Sequence, residues 1–266
     1  MTFSLVARSA DGAQWGVAVA SKFLAVGAAV PAAAYGVGAI ATQAAANLAY
    51  RRDGLALLPD HSAQEVVDAL TVADEGRDQR QVGVVDREGR AASFTGSACN
   101  SWAGGRTGAG WAAQGNILSG PQVVDALAEA FEGTAGPLSS RLTTALLAAD
   151  RAGGDKRGRQ SAALLVVSER GGYGGGSDVL IDLRVDDNPD PVPELGRLLD
   201  LHGLYFGRPD PDAVLPLTDG LAREVRDRLA RLGYSRLEDW AGVENYEERM
   251  VPGGIDPVVL EKLRAT

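Results

Sequence analysis

Thr2 is the residue of this chain whose type and position point most directly to chemistry. Enzymes that trim an initiator methionine remove it ahead of small residues such as Thr, and that step would leave Thr2 first in the chain. A terminal Thr carries a hydroxyl nucleophile beside its own α-amine. That amine, with an ordinary pKa of about 7.7–8.0, can serve as the general base. Thr also forms strands well, so its position alone does not separate a catalytic Thr2 from a structural one. Other usual carriers of chemistry are sparse. Cys99 is the single cysteine, so no intrachain disulfide can form. The two histidines, His61 and His202, are far apart and have no neighbouring cysteines, which gives no zinc pattern. A Ser-His-Asp triad would have to use one of them, yet His61 precedes a helix and His202 ends one. Asp182, Asp186, Asp187 and Asp190 lack the spacing of a calcium loop and read better as a turn and helix cap. No metal and no cofactor are expected.

The chain is 266 residues long, which suits one large domain with a smaller one appended. Hydrophobic residues at 45% and charged residues at 23% are those of an ordinary globular protein. With 34 glycines and frequent Ala runs, close backbone packing and many turns are expected. A net charge of −9 repels phosphate backbones and anionic lipid, so neither nucleic acid nor membrane is an expected partner. The apolar stretch 23–34 is broken by Gly27 and Pro31 and is too short to span a bilayer. It follows a segment that carries Arg8, Asp11 and Lys22 and reads as two strands, so it is not taken as a secretion signal, and a cytoplasmic location is expected. The expected partner is a small-molecule substrate or ligand. A homo-oligomer is also expected, since Ala- and Gly-rich faces permit close subunit packing.

The elements that must position Thr2 can be read from periodicity. Residues 2–7 alternate polar and apolar, Asp11-Gly12 is a hairpin turn, and residues 15–20 form a second strand. A Gly- and Ala-rich connection leads to a third strand at 37–42, and residues 47–58 are at least partly helical. Ser62 with Glu65 three residues on is a capping box, opening a helix through Val66, Val67, Leu70 and Val72. Residues 81–86 and 91–95 flank Arg87-Glu88-Gly89-Arg90 as another hairpin. Residues 99–110 read as a Gly-rich loop carrying Trp102, and 111–116 as a strand. Pro121 opens a helix with Val123, Val124, Leu127 and Phe131 inward, and a second helix over 138–152 is closed by Gly153-Gly154. Strands at 161–168 and 179–185 flank a Gly-rich loop, and a last helix covers 192–202. Hairpins predominate, so this is an α+β pattern of mainly antiparallel sheets needing helices on their outer faces.

Several segments, taken in order, resemble the N-terminal-nucleophile (Ntn) hydrolase superfamily and, within it, a bacterial family of unassigned function. They are Met1-Thr-Phe-Ser4, Gly16-Val-Ala-Val-Ala-Ser21-Lys22-Phe23, Gln81-Val-Gly-Val-Val-Asp86, Gln114-Gly115-Asn116, Gly154-Asp155-Lys156-Arg157-Gly158-Arg159-Gln160-Ser161 and Val185-Asp186-Asp187. The resemblance covers residues 2 to about 190 and implies a four-layer αββα sandwich. The layout is also similar to that of proteasomal β-subunits, with three departures. Ser21-Lys22 replaces an acidic turn after the second strand. No lysine stands near Val30 or Pro31. Gly158 occupies the Ser position of an Asp-x-x-Ser motif that begins at Asp155.

The resemblance implies a cofactor-free amidohydrolase acting on a small amide through Thr2 and its α-amine. Lys22 would lower the amine pKa and steady an oxyanion, or is a strand-end lysine in an ion pair. Ser21 would bond the amine, or is structural. Gln114, Gly115 and Asn116 would form an oxyanion hole or bind substrate, or are an ordinary turn. Asp155 would orient the amine. Lys156, Arg157 and Arg159 would bind a substrate carboxylate, or form a solvated loop with internal ion pairs. Gln43 and Asn47 are further candidates to line the cleft, and Trp102 to cover it. Two alternatives stay open: an inactive fold that binds a small molecule or protein, and a cell-wall-associated module.

The first domain is placed at 1–202. A linker at 203–217 contains Arg208-Pro-Asp-Pro-Asp212, and a small helical domain at 218–266 has helices near 221–232, 237–240 and 257–264. Residues 232–249 together with 255–260 resemble a peptidoglycan-binding-like module. Packing or dimerisation is the plainer reading of that domain.

Overall fold

The computed structural model describes residues 2–266 and forms two compact units, one ending at Leu199 and one running from Asp200 to Thr266. In the first, strands follow as β1 (Thr2–Arg8), β2 (Gln14–Ser21), β3 (Pro31–Ala34), β4 (Gly38–Ala44), β5 (Arg80–Asp86), β6 (Ala91–Thr95), β7 (Gly104–Gly108), β8 (Trp111–Asn116), β9 (Ser161–Ser168) and β10 (Val179–Val185). Helices are α1 (Val26–Ala29), α2 (Ala49–Leu57), α3 (Ala63–Val72), α4 (Gln122–Gly133), α5 (Leu138–Arg151) and α6 (Pro191–Phe206), and the boundary between the units falls inside α6.

One sheet has the order β10-β9-β2-β1-β8-β7 and the other β3-β4-β5-β6, with every strand pairing among the described residues antiparallel. Strand side chains alternate between faces, and this sorts the core into three apolar layers. Phe3, Leu5 and Ala7 of β1 pack with Leu127, Phe131, Leu142 and Leu146 of α4 and α5. Val6, Val17, Val19, Ala39, Ala41 and Val85 meet between the sheets. Ile40, Val82 and Val84 pack against Val66, Val67 and Leu70 of α3. Three layers of apolar contact between four layers of structure make this an αββα sandwich.

The capping box forms as expected: Ser62 accepts from the Glu65 amide, and Glu65 accepts from the Ser62 amide. Four expectations are corrected. The Gly- and Ala-rich connection holds β3, because Ala side chains are small enough to sit close between the sheets. The Gly-rich loop holds β7, an edge strand without apolar alternation, where a side chain at Gly108 would collide with the Trp111 ring. Val72 is 75% exposed, since the apolar repeat of α3 ends at Leu70. Residues 203–217 are not a free linker: α6 continues to Phe206, and Leu204, Tyr205 and Leu217 pack into the core of the second unit.

That core centres on Trp240, Leu229, Tyr246, Val259 and Leu263. It joins α7 (Asp219–Arg231), α8 (Leu237–Val243) and α9 (Pro257–Ala265) with a short pair, β11 (Leu215–Pro216) and β12 (Gly254–Ile255). A unit of this size has a small interior, which accounts for its drawing Leu204, Tyr205 and Leu217 into the core. No helix of the described residues is long and apolar enough to cross a membrane.

Candidate active site

Alternation along β1 places Thr2 and Ser4 on the same face as Val6, toward the second sheet. The same parity brings Ser21 from β2, Gln114 and Asn116 from β8, and Gln43 and Gln81 from β4 and β5 to that face. All seven polar residues are buried, Thr2 at 6% exposure being the most open. The layer between the sheets therefore changes from apolar to polar at the end where Thr2 lies. Burying this many polar groups is tolerable only if they bond one another; each of the seven residues does, although Gln114 Oε1 is buried without a partner among the described residues.

Thr2 Oγ1 lies 3.1 Å from Ser21 Oγ. Asn116 is the register partner of Thr2 across β8, and its Nδ2 donates to Gln81 Oε1 at 3.0 Å. Gln81 Oε1 also accepts from Gln43 Nε2 at 2.8 Å, and Gln81 Nε2 donates to the Gly115 carbonyl at 2.8 Å and to Thr95 Oγ1 at 2.9 Å. Ser4 Oγ donates to Gln43 Oε1 at 2.7 Å and accepts from Gln114 Nε2 at 2.6 Å. Gln43 Nε2 further reaches the Thr2 carbonyl at 3.4 Å. The network thus ties the two sheets together across the first residues of β1, using side-chain amides and hydroxyls that keep their charge state across the ordinary pH range.

Strand ends bring several loops to the same edge. Asp155 is buried and its carboxylate is turned to backbone: Oδ2 accepts from the Lys22 amide and Oδ1 from the Arg157 amide, both at 2.8 Å, while Arg157 Nη2 approaches Oδ2 at 3.3 Å. Lys22 is exposed, and its Nζ donates to the Arg159 carbonyl at 3.3 Å. Lys156 Nζ donates to the Ser101 carbonyl at 2.8 Å. A β-bridge joins Asp155 to Leu118, two residues past Asn116, so this rim lies directly beside the end of β8.

The structure thus gathers Thr2, Ser21, Gln43, Gln114 and Asn116 in one network and sets Asp155, Lys22 and Arg157 at its edge. Other candidates fall elsewhere. Asn47 faces the outer side of the second sheet, where it donates to Asp74 at 3.0 Å and caps the start of α2. There Arg80, Asn47, the Gly76 amide and Tyr50 hold the Asp74 carboxyl well below the usual carboxylate range. Burial and that carboxylate push the Tyr50 hydroxyl up. Arg159 pairs with two carboxylates, Asp150 at 2.8 Å and Asp190 at 3.1 Å. Gly115 leaves room for Leu118, whose Cδ1 would lie 2.4 Å from a side-chain carbon there. Gln114 is wedged deeper, beside Ser4, with its Oε1 against Gly83. Trp102 packs against the helix-side core instead of standing free over the cleft. Lys22 lies outside the buried network, on the rim. Removal of Met1 concerns a residue outside those described.

Two members of the network were not among the sequence candidates, Gln81 and Ser4. The available signal was parity. Each is a polar residue at an inward position of a strand whose later inward positions, Val85 and Val6, are apolar.

Comparison with known proteins adds family and fold. Residues 2–195 match the profile described as "Family of unknown function (DUF1028)", and residues 205–263 match "Putative peptidoglycan binding domain". A crystal structure of a DUF1028 protein from Silicibacter pomeroyi is 30% identical, with TM-score 0.69, covering 83% of this chain and 88% of that one. Anbu, an ancestral beta-subunit from Yersinia bercovieri, aligns at 12% identity and TM-score 0.33 over 75% of this chain and 93% of its own, too slight a likeness to bear on fold or function. No curated protein matches the chain significantly.

Proposed function

The chain belongs to DUF1028, a family of unknown function, and from the site described above we propose that it is an amide hydrolase whose nucleophile is the Thr2 hydroxyl. The observation that carries this reading is the placement of Thr2 Oγ1 against Ser21 Oγ at 3.1 Å, at the polar end of the layer between the sheets. Its resemblance in layout to Ntn hydrolases, with Thr at the start of a central strand, supports the same reading.

With Thr2 released as first residue, its α-amine takes the hydroxyl proton as Oγ1 adds to the amide carbonyl. The amine then passes that proton to the leaving nitrogen, the C–N bond breaks, and the acyl group stays on Thr2 as an ester. Water adds by the same route, the acid departs, and the hydroxyl is restored. Asn116 Nδ2 gives one hydrogen to Gln81, and its second is the donor for the oxyanion. Asp155 steadies the protonated amine. N-terminal sequencing and intact mass of protein from its native host, joined to an amide-hydrolysis panel, test the proposal. An active protein should begin at Thr2, and Thr2→Ala should abolish turnover. Complete retention of Met1, or full turnover by the Ala variant, would overturn it.

A second reading concerns the second unit alone and follows from the matched profile: residues 205–263 bind a cell-wall glycopeptide. Co-sedimentation of the full chain with purified sacculi tests it, and protein left in the supernatant refutes it.

A further inference from the structure

Asn116 is 1% exposed, and the direction of its side-chain amide is set by its neighbours. Gln81 Nε2 donates to the Gly115 carbonyl at 2.8 Å and to Thr95 Oγ1 at 2.9 Å. A backbone carbonyl can only accept, so the Gln81 amide cannot be reversed, and its Oε1 faces Gln43 and Asn116 as an acceptor. Asn116 must therefore turn its Nδ2 to Gln81, at 3.0 Å; reversed, it would set two carbonyl oxygens against each other. One Nδ2 hydrogen and the whole of Oδ1 are left uncommitted. Asn116 Oδ1 has no hydrogen-bond partner among the described residues, and unlike Gln114 Oε1 it is not closed off from solvent. The small exposed part of Asn116 thus includes an acceptor with nothing to accept. Thr2 is its strand partner, with Oγ1 against Ser21 Oγ at 3.1 Å. A hydroxyl, an open acceptor and an open donor share one end of the layer between the sheets.

We infer that Asn116 is a specificity-determining residue and that the ligand of this site is a primary carboxamide, paired with it amide to amide. Oδ1 accepts an N–H of the ligand, and the remaining Nδ2–H donates to the ligand carbonyl. Carbonyl oxygens repel, so Gln81 Oε1 is best met by the Nδ2 hydrogen turned away from Oδ1, which leaves the hydrogen on the Oδ1 side for the ligand. A primary carboxamide carries an N–H on the same side as its oxygen, as Asn116 does, so the two groups close a ring of two hydrogen bonds. A trans secondary amide points its N–H and C=O in opposite directions and can make only one of them. A tertiary amide or an ester has no N–H, so Oδ1 would lose its water and gain nothing. The inference rests on the hydrolase reading for the bond that is cut, but not for the ligand that is bound. On that reading Thr2 Oγ1 adds to the carboxamide carbon, and its proton passes by way of the α-amine to the nitrogen. The C–N bond breaks with its electron pair on nitrogen, ammonia leaves, and water then releases the acid from the Thr2 ester.

The test is a titration of the full-length Thr2→Ala protein, in which chemistry is blocked, with acetamide, butyramide and benzamide, each against its N,N-dimethyl derivative. At least one primary amide should bind about tenfold more tightly than its dimethyl partner. The magnetic resonance signals of the Asn116 side-chain NH2 should shift along the same isotherm, a readout that needs no change within the network. Asn116→Ala should bring the pair to equal affinity. Equal affinity within every pair, no measurable binding of any primary amide, a preference that survives Asn116→Ala, or binding that leaves the Asn116 signals unmoved overturns the inference. Wild-type protein that binds a primary amide selectively yet cleaves no amide refutes the hydrolase reading and leaves this one standing. Turnover of N,N-dimethyl amides with primary amides untouched does the reverse.

Discussion

Asn116 is gripped by Gln81: the Asn116 side-chain nitrogen donates to Gln81 Oε1 at 3.0 Å, across the gap between the sheets. Asn116 is also the strand partner of Thr2, so the grip of Gln81 fixes an amide immediately beside the candidate nucleophile. The same Gln81 reaches Gly115 and Thr95, which makes it the centre of the network.

Replacing Gln81 by Leu leaves the amides of Gln43 and Asn116 and the Gly115 carbonyl buried without this partner. A loss of about 3 kcal/mol is expected, read by chemical denaturation. A loss below about 1 kcal/mol would mean that the network rearranges around the gap.

Gly115→Ala forces a carbon to within 2.4 Å of Leu118 Cδ1 in the helix-side core. Overpacking of this kind costs about 1–3 kcal/mol. Combined with Leu118→Ala, the second change should cost less than in the native background, and a double-mutant cycle measures that coupling.

Asp74 supplies a pH dependence. Its carboxyl is depressed in the folded protein, first by Arg80 and then by Asn47, so its contribution is complete above the ordinary value near 3.8. It is lost as pH falls toward the depressed folded value. Asp74→Asn should therefore destabilise at pH 6, with the difference from wild type narrowing steadily between pH 4 and pH 2. A difference that stays constant over that range would refute the linkage.

Thr2→Ser keeps a hydroxyl in place of a hydroxyl and should retain measurable amide turnover, where Thr2→Ala retains none. Both variants leave β1 paired on each side, so melting temperatures close to wild type are expected for both. Activity in the Ser variant alone is the informative pattern.

The sandwich was legible where side chains carry period and punctuation. Strand β1 alternates visibly, hairpin turns mark the ends of β2 and β5, and Ser62 with Glu65 announces α3. Segments β3 and β7 were hidden because Ala and Gly fit strands by being small, which leaves no alternation to see. In the site, Thr2, Ser21, Gln43, Gln114 and Asn116 are named with the help of the family resemblance, which residue type alone does not supply. Gln81 could not be named, because its role depends on which strand of the second sheet lies opposite β8. Asn47 misled for a related reason. One turn separates Gln43 from Asn47 in sequence, but that turn carries the chain from the inner face of the second sheet to the outer one.

β1 is closed on one edge by β2 and on the other by β8, whose last residue is Asn116. The second edge is therefore contributed by chain made more than a hundred residues after Thr2. During synthesis the leading segment must wait, unpaired on that side, until residue 116 has emerged. A processing enzyme acting ahead of Thr2 meets an open strand during that interval and a nearly inaccessible residue afterwards, at 6% exposure. If Thr2 is released by trimming as proposed, that step is timed by the folding of a distant strand, and protein refolded from the full-length denatured chain should be a poorer substrate for trimming than the nascent chain.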